Sequence, residues 1–320
     1  MNGAATLVET MLASGVSVCF ANPGTSEMHF VAALDTHPDM RCILCLFEGG
    51  VTGAADGYAR MSRNVAGTLL HLGPGFGNAW SNIHNARKGR SGMVNVVGDH
   101  AGYHLKYDAP LQSDLDGVAR SVSHWVGRAE EPGAVADLGA EAIRRARAGE
   151  IATLLLPADS AWSESAAGPK PASAPPKKHM PERARIEAAA EALKTPGAAL
   201  LLGGCALYGA AADQAAHIAR RAGARLLAPF FAGRIEMGAG AVQFEQMYYP
   251  ADMNAAFLAD ITKLVCIGEA RPVNFFAYPD KPSTPEAPGT AVDVLCHPDW
   301  DVSGTLDALA DLLGVDGLSG

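Results

Sequence analysis

Residues 42–60 read CILCLFEGGVTGAADGYAR. An apolar run over residues 42–47 predicts a buried strand of a parallel sheet, and it stops at Glu48. Behind the acid come Gly49, Gly50, Gly53, Ala54, Ala55, Gly57 and Ala59, a helix pattern with almost no side-chain bulk on one face. Open α/β sheets bind ligands at the carboxyl ends of their strands, and a bulk-free helix start lets a ligand approach closely. An acid seated there is placed to hold or pass a proton. The same residue type also suits a plain surface role, an acid beside the positive end of a helix dipole.

Strands and helices alternate on both sides of that stretch. A helix over residues 4–15 ends at Gly15, and a strand follows at 16–20. The turn Ala21-Asn22-Pro23-Gly24-Thr25-Ser26-Glu27 then offers Thr25 or Ser26 as the cap of a helix over 28–34. A strand at 65–72 runs into Gly73-Pro74-Gly75-Phe76-Gly77-Asn78, where three glycines and a proline predict a tight, rigid loop before a helix at 79–86. A strand over 92–97 closes on Gly98-Asp99-His100, and residues 103–116 read as an irregular excursion. His104, Lys106, His124 and Trp125 read as surface positions rather than loop residues over a site. A helix at 138–148 and a strand at 152–157 complete a doubly wound parallel domain, residues 1–162.

Residues 163–182 are dominated by proline, serine and alanine and predict a linker. A second parallel α/β domain, 183–320, has helices at 184–193 and 210–222 and strands at 198–203, 225–228, 263–268 and 291–296. Its Gly203, Gly204 and Gly209 lack the G-x-G-x-x-G form of a dinucleotide site. The stretches 231–254 and 272–278 either face a site or pack.

Bulk properties narrow the function classes. The 320 residues are 48% hydrophobic and 18% charged, enough for two cores. A net charge of −9 with no basic stripe argues against nucleic acid and anionic membranes. No apolar run is long enough to span a bilayer, and Glu9 within the first helix argues against a signal peptide, so the expected compartment is the cytoplasm. Six cysteines in mostly apolar settings predict free, buried thiols.

The segment Glu-x-x-x-x-Gly-Ala-Ala-Asp-Gly-Tyr-Ala-Arg beginning at Glu48 resembles the glutamate segment of the thiamine-diphosphate (ThDP) enzymes of the acetolactate synthase, pyruvate oxidase and benzoylformate decarboxylase group. The resemblance implies that Glu48 bonds the cofactor's aminopyrimidine and drives the tautomer that generates the reactive ylid. Asn22-Pro23-Gly24-Thr25 is similar to the family's loop against the pyrimidine, and Gly73-Pro74-Gly75-x-x-Asn78 to its glycine-proline-glycine motif. Asn22, Pro23, Gly24, Thr25, Gly75 and Asn78 are thereby implied near the cofactor. His71 stands where benzoylformate decarboxylase has a catalytic histidine, and Thr25 where it has a serine. Gln112 lies near a glutamine of acetolactate synthases. Thr25, His71 and Gln112 are implied substrate contacts. Asp99 departs from the family's glutamine.

No Gly-Asp-Gly occurs. The family's third domain, which holds Mg²⁺ and the diphosphate, is therefore expected to be missing, and Asp316-Gly317 at the end does not replace it. The middle domain, which carries FAD in some members, is expected to be empty. The implied function is decarboxylation and carboligation of a 2-oxo acid by an acetolactate-synthase-like enzyme, an incomplete chain forming homo-oligomers through its first domain. A benzoylformate-type decarboxylase, a non-catalytic assembly subunit and a nucleotide-binding module are the alternatives.

Overall fold

The computed structural model describes residues 1–315. Asp316 and Gly317 lie outside the described residues. The chain divides into two compact units, Met1–Pro176 and Lys177–Gly320.

In the first unit, in chain order, are α1 (Gly3–Ala13), β1 (Val18–Asn22), α2 (Met28–Thr36), β2 (Arg41–Leu44), α3 (Glu48–Ser62), β3 (Ala66–His71) and α4 (Leu72–Gly89). After them come β4 (Met93–Asp99), α5 (Leu115–Val122), β5 (Trp125–Arg128), α6 (Val135–Arg147), β6 (Ile151–Pro157) and α7 (Ala158–Trp162). The six strands are all parallel, in the order β2-β1-β3-β4-β6-β5. Helices cover both faces, so β4 and β6 are buried along their whole length. One apolar core lies under α1 and α6, with Leu7, Met11, Val96 and Ile143, and another under α3 and α4, with Val51, Phe76, Leu70 and Ile83. A polar chain crosses three strands inside this sheet: Thr68 donates to Asn95 (2.8 Å), Asn95 to Thr153 (3.2 Å), and Thr153 pairs with Ser123 (2.7 Å). Each buried polar group there finds a partner, which removes the cost of its desolvation.

Three local expectations change. β2 is the sheet's edge strand and not a buried one: Leu44 is 69% and Leu46 94% exposed. An apolar run reports β propensity, but only sheet order decides whether both faces are covered. Cys42 is accordingly exposed and Cys45 and Cys205 half-buried, while Cys19, Cys266 and Cys296 are buried. Gly73, Pro74 and Gly75 form the first turn of α4 rather than a loop, since the chain turns one residue earlier, at Leu72. Leu72 is buried with φ of +52°, a conformation that costs a bulky residue on the order of 1–3 kcal/mol. Strand β5 and helix α5 form within 115–128, and His124 closes onto the sheet by accepting the Ile151 N–H at Nδ1 (2.9 Å).

Residues 163–176 have little regular structure but are docked on the first unit. The Lys170 N–H donates to Thr10 Oγ1 (3.2 Å) and the Ala172 N–H to Ser14 Oγ (2.9 Å), both on or next to α1. Ser165 N–H donates to the Met1 carbonyl (2.8 Å).

The second unit holds α8 (Arg183–Leu193), β7 (Ala198–Leu202), α9 (Gly209–Ala222), β8 (Arg225–Ala228), β9 (Glu245–Gln246), α10 (Ala251–Phe257), β10 (Lys263–Ile267), β11 (Ala291–Cys296) and α11 (Val302–Leu313). Its parallel sheet runs β11-β10-β7-β8-β9. At the switch point between β7 and β10, a Cβ on Gly203 would lie 2.3 Å from the Gly268 carbonyl oxygen, and one on Gly268 would lie 2.5 Å from the Gly203 carbonyl oxygen. Phe231, Tyr249 and Phe275 form an exposed aromatic cluster with ring centres 5.2–6.0 Å apart.

Candidate functional site

Glu48 is the first residue of α3, just beyond the end of the edge strand, and is 9% exposed. The helix start favours negative charge there. Asn78, on the second turn of α4, donates from Nδ2 to Glu48 Oε2 at 3.0 Å. The other oxygen, Oε1, has no hydrogen-bond partner among the described residues and lies against Gly75. A Cβ on Gly75 would come within 2.9 Å of Glu48 Oε1 and 3.4 Å of the His71 Cβ. Gly75 is therefore the shared floor of Glu48 and His71. Helices α3 and α4 meet closely because α3 is thin: Asn82 donates to the Gly49 carbonyl (2.7 Å) and Thr52 Oγ1 to the Ala79 carbonyl (3.2 Å). Gly50 and Gly57 face open space.

The turn after β1 arrives from the other side. Asn22 donates from Nδ2 to the Cys45 carbonyl (2.7 Å), which ties the Asn22-Pro23-Gly24 turn to the segment leading into Glu48. Gly24 lies under the His71 ring: a Cβ there would sit 2.4 Å from its Cε1 and Nδ1. His71 ends β3 with Nδ1 2.8 Å from Glu27 Oε2 and 3.2 Å from Ser26 Oγ. Neither Thr25 nor Ser26 caps α2 with its side chain. Instead Glu27 reaches back to the Gly24 N–H (2.7 Å), and Ser26 donates to Glu27 Oε1 (2.7 Å).

Residues 1–120 match the family described as thiamine pyrophosphate enzyme, N-terminal TPP binding domain. The likeness to the ThDP enzyme group thus lies in the first unit. IlvX of Mycobacterium tuberculosis, named for the acetolactate synthase large subunit, is 50% identical across 98% of this chain and 60% of that protein. Benzoylformate decarboxylase of Pseudomonas aeruginosa is 31% identical over 150 residues, 47% of this chain and 26% of the relative. The fold matches a thiamine diphosphate-dependent 4-hydroxybenzoylformate decarboxylase from Rhodococcus jostii RHA1 with a TM-score of 0.81 and 20% identity, over 98% of this chain and 62% of that one. The chain thus spans about three-fifths of the length of IlvX and of that solved structure.

Among the residues the ThDP family pattern singled out, the structure gathers Asn22, Pro23, Gly24, Glu48, His71, Gly75 and Asn78 at one end of the sheet, around β1, β3 and the starts of α3 and α4. Thr25 is exposed and does not bond His71; its neighbour Ser26 does. Gln112 makes no side-chain bond to these residues, and its Oε1 is buried without a partner among the described residues. The adjoining Ser113 nonetheless lies over the start of α4, its Oγ 1.8 Å from where a Cβ on Gly73 would be. Asp99, in place of the family's glutamine, is buried and pairs with Arg128 Nη1 (2.8 Å). Sequence reasoning missed Glu27 as a site residue. The available signal was its spacing, the third residue after Gly24, which is that of a capping box.

The donor set fits the pyrimidine end of the cofactor. One carboxylate oxygen is held and the other is open beside a glycine that leaves room. For the metal, no group of three or more His, Cys, Asp or Glu able to hold an ion occurs among the described residues. No helix among them is long and apolar enough to cross a membrane.

Proposed function

We propose that the first unit seats the aminopyrimidine of thiamine diphosphate against Glu48, for decarboxylation of a 2-oxo acid and carboligation in the manner of an acetolactate synthase. The observation that carries this reading is the division of labour at Glu48. Asn78 occupies Oε2, while Oε1 is left without a partner at a site a Cβ would obstruct. When bound, the cofactor supplies a thiazolium electron sink for cleavage next to the carbonyl. Glu48 then holds or receives a proton at Oε1, Asn78 orients its carboxyl group, and the Asn22-Pro23-Gly24 turn limits the ring's position. His71, on the opposite side of Gly75, handles protons at the substrate end.

A second reading, a benzoylformate-type decarboxylase, is favoured by His71 with its buried acid partner. Mg²⁺ and the diphosphate are held by residues other than the two units described. The second unit carries no flavin, a reading supported by the mutual backbone approach of Gly203 and Gly268 where a nucleotide would enter. The chain works in the cytoplasm on a small-molecule substrate and assembles with a second copy through the first unit, where Leu44, Leu46 and Phe47 are exposed next to Glu48.

Saturation-transfer NMR with thiamine alone tests the pyrimidine seat without needing the diphosphate. Wild-type protein should transfer magnetisation to the aminopyrimidine protons, and Glu48→Ala should lose most of that transfer. Equal transfer in both proteins, or none in either, overturns the reading.

A further inference from the structure

Glu27 is the most deeply buried acid near the site, with its side chain 1% exposed. Burying a carboxylate is costly unless donors surround it. Here they do: the Gly24 N–H and His71 Nδ1 meet Oε2 (2.7 and 2.8 Å), and the Ser26 hydroxyl meets Oε1 (2.7 Å). Room for the pair has been cleared on two sides. A Cβ on Gly98 would fall 1.8 Å from Glu27 Oε1, and one on Gly24 would fall 2.4 Å from the His71 ring. A capping role accounts for the Gly24 bond alone. It does not account for the histidine, nor for a bare Gly98 on the neighbouring strand.

We propose that Glu27 is a positioning residue that fixes neutral His71 as its Nδ1–H tautomer, so that the site is offered a lone pair at Nε2. For the neutral ring the geometry leaves one consistent arrangement. The Gly24 N–H can only donate, so Oε2 is an acceptor, and the ring nitrogen facing it must carry the proton. Ser26 Oγ, 3.2 Å from Nδ1 while its own hydrogen goes to Glu27 Oε1, accepts from the same N–H. Nε2 has no partner among the described residues. A neutral His71 so held accepts a proton or a hydroxyl hydrogen from the ligand. It does not donate to a substrate carboxylate. This assigns His71 to proton transfer, and in that respect the inference rests on the proposed function; the tautomer itself does not.

Nitrogen-15 NMR of the histidine rings in the full chain, at a pH where imidazole is neutral, reads the tautomer directly, with His71→Gln to assign the resonance. In wild type the expected spectrum has Nδ1 as the protonated, pyrrole-type nitrogen and Nε2 as the pyridine type. Ser26→Ala should leave that pattern in place, because Glu27 remains. Glu27→Ala should exchange it for the Nε2–H form that free imidazole prefers. An Nε2–H wild type, a switch in Ser26→Ala, or an unchanged Glu27→Ala overturns the assignment. Should Glu27→Ala fail to fold, the wild-type and Ser26→Ala spectra decide. The thiamine experiment reads Glu48 alone, so failure of either result is distinguishable from failure of the other.

Discussion

Asn78 donates to one oxygen of Glu48 at 3.0 Å, and the two residues come from helices that follow β2 and β3, strands separated in the sheet by β1. A buried carboxylate that loses a donor is left partly unsatisfied. Asn78→Ala should therefore destabilise the first unit by about 1.5–3 kcal/mol, the range for a hydrogen bond to a charged group. Gly75→Ala should behave differently. Its new Cβ meets the movable end of Glu48 rather than backbone, so the urea midpoint should shift little while the thiamine saturation-transfer signal falls severalfold.

Cys19 and Cys42 are register partners on β1 and β2. Hydrogen bonding with Cys19 lowers the Cys42 thiol to about 7, against the upward push of partial burial, while burial pushes Cys266 up to about 12. The thiolate is the nucleophile, so Cys42 is protonated and slow below that point and reactive above it. Alkylation by iodoacetamide, followed by peptide mass spectrometry, should label Cys42 with a rate that climbs through pH of about 7 and then levels off. Cys266 should remain unlabelled throughout. Cys19→Ala should move the Cys42 midpoint upward.

Two glycines under the same sheet should respond unequally to alanine. A Cβ on Gly92 would sit 1.7 Å from the Ala146 carbonyl oxygen, which is backbone and cannot step aside. A Cβ on Gly67 would meet the terminal methyl of Met11 at 2.4 Å, a flexible group that can turn away. Gly92→Ala should cost at least about 1–3 kcal/mol in chemical denaturation, and Gly67→Ala clearly less.

Arg128 bridges Asp99 and Asp116 at the far side of the sheet. Burial disfavours its charge, but hydrogen bonds to Asp116 and Asp99 outweigh burial and raise its guanidinium further above the ordinary range. Arg128→Met would leave Asp99 buried and unpaired, a loss of about 3–5 kcal/mol. Arg183, in an exposed pair with Glu187, should cost well under 1 kcal/mol when changed to alanine (about 0.3–0.5). Adding Asp99→Asn to Arg128→Met should recover part of the larger loss.

Local order in the sequence was enough to identify the parallel α/β class and the acid at a strand end. Resemblance to a family motif also pointed to the Asn22-Pro23-Gly24 turn and to Gly75 and Asn78, which lie in α4, as residues that meet around Glu48. Those features depend on neighbours within a few residues, where apolar period, glycine content and a motif's spacing act directly. Sheet order was not legible, so the run ending at Glu48 read as buried although β2 is an edge. Nor was the left-handed turn at Leu72, which draws Gly73-Pro74-Gly75 into α4. Glu27 and His71 are 44 residues apart in the chain, and only the adjacency of β1, β3 and β4 brings them together. Periodicity records which face of an element is apolar; which buried polar side chains end up as partners is decided by how the strands are ordered, and that is a property of the folded sheet.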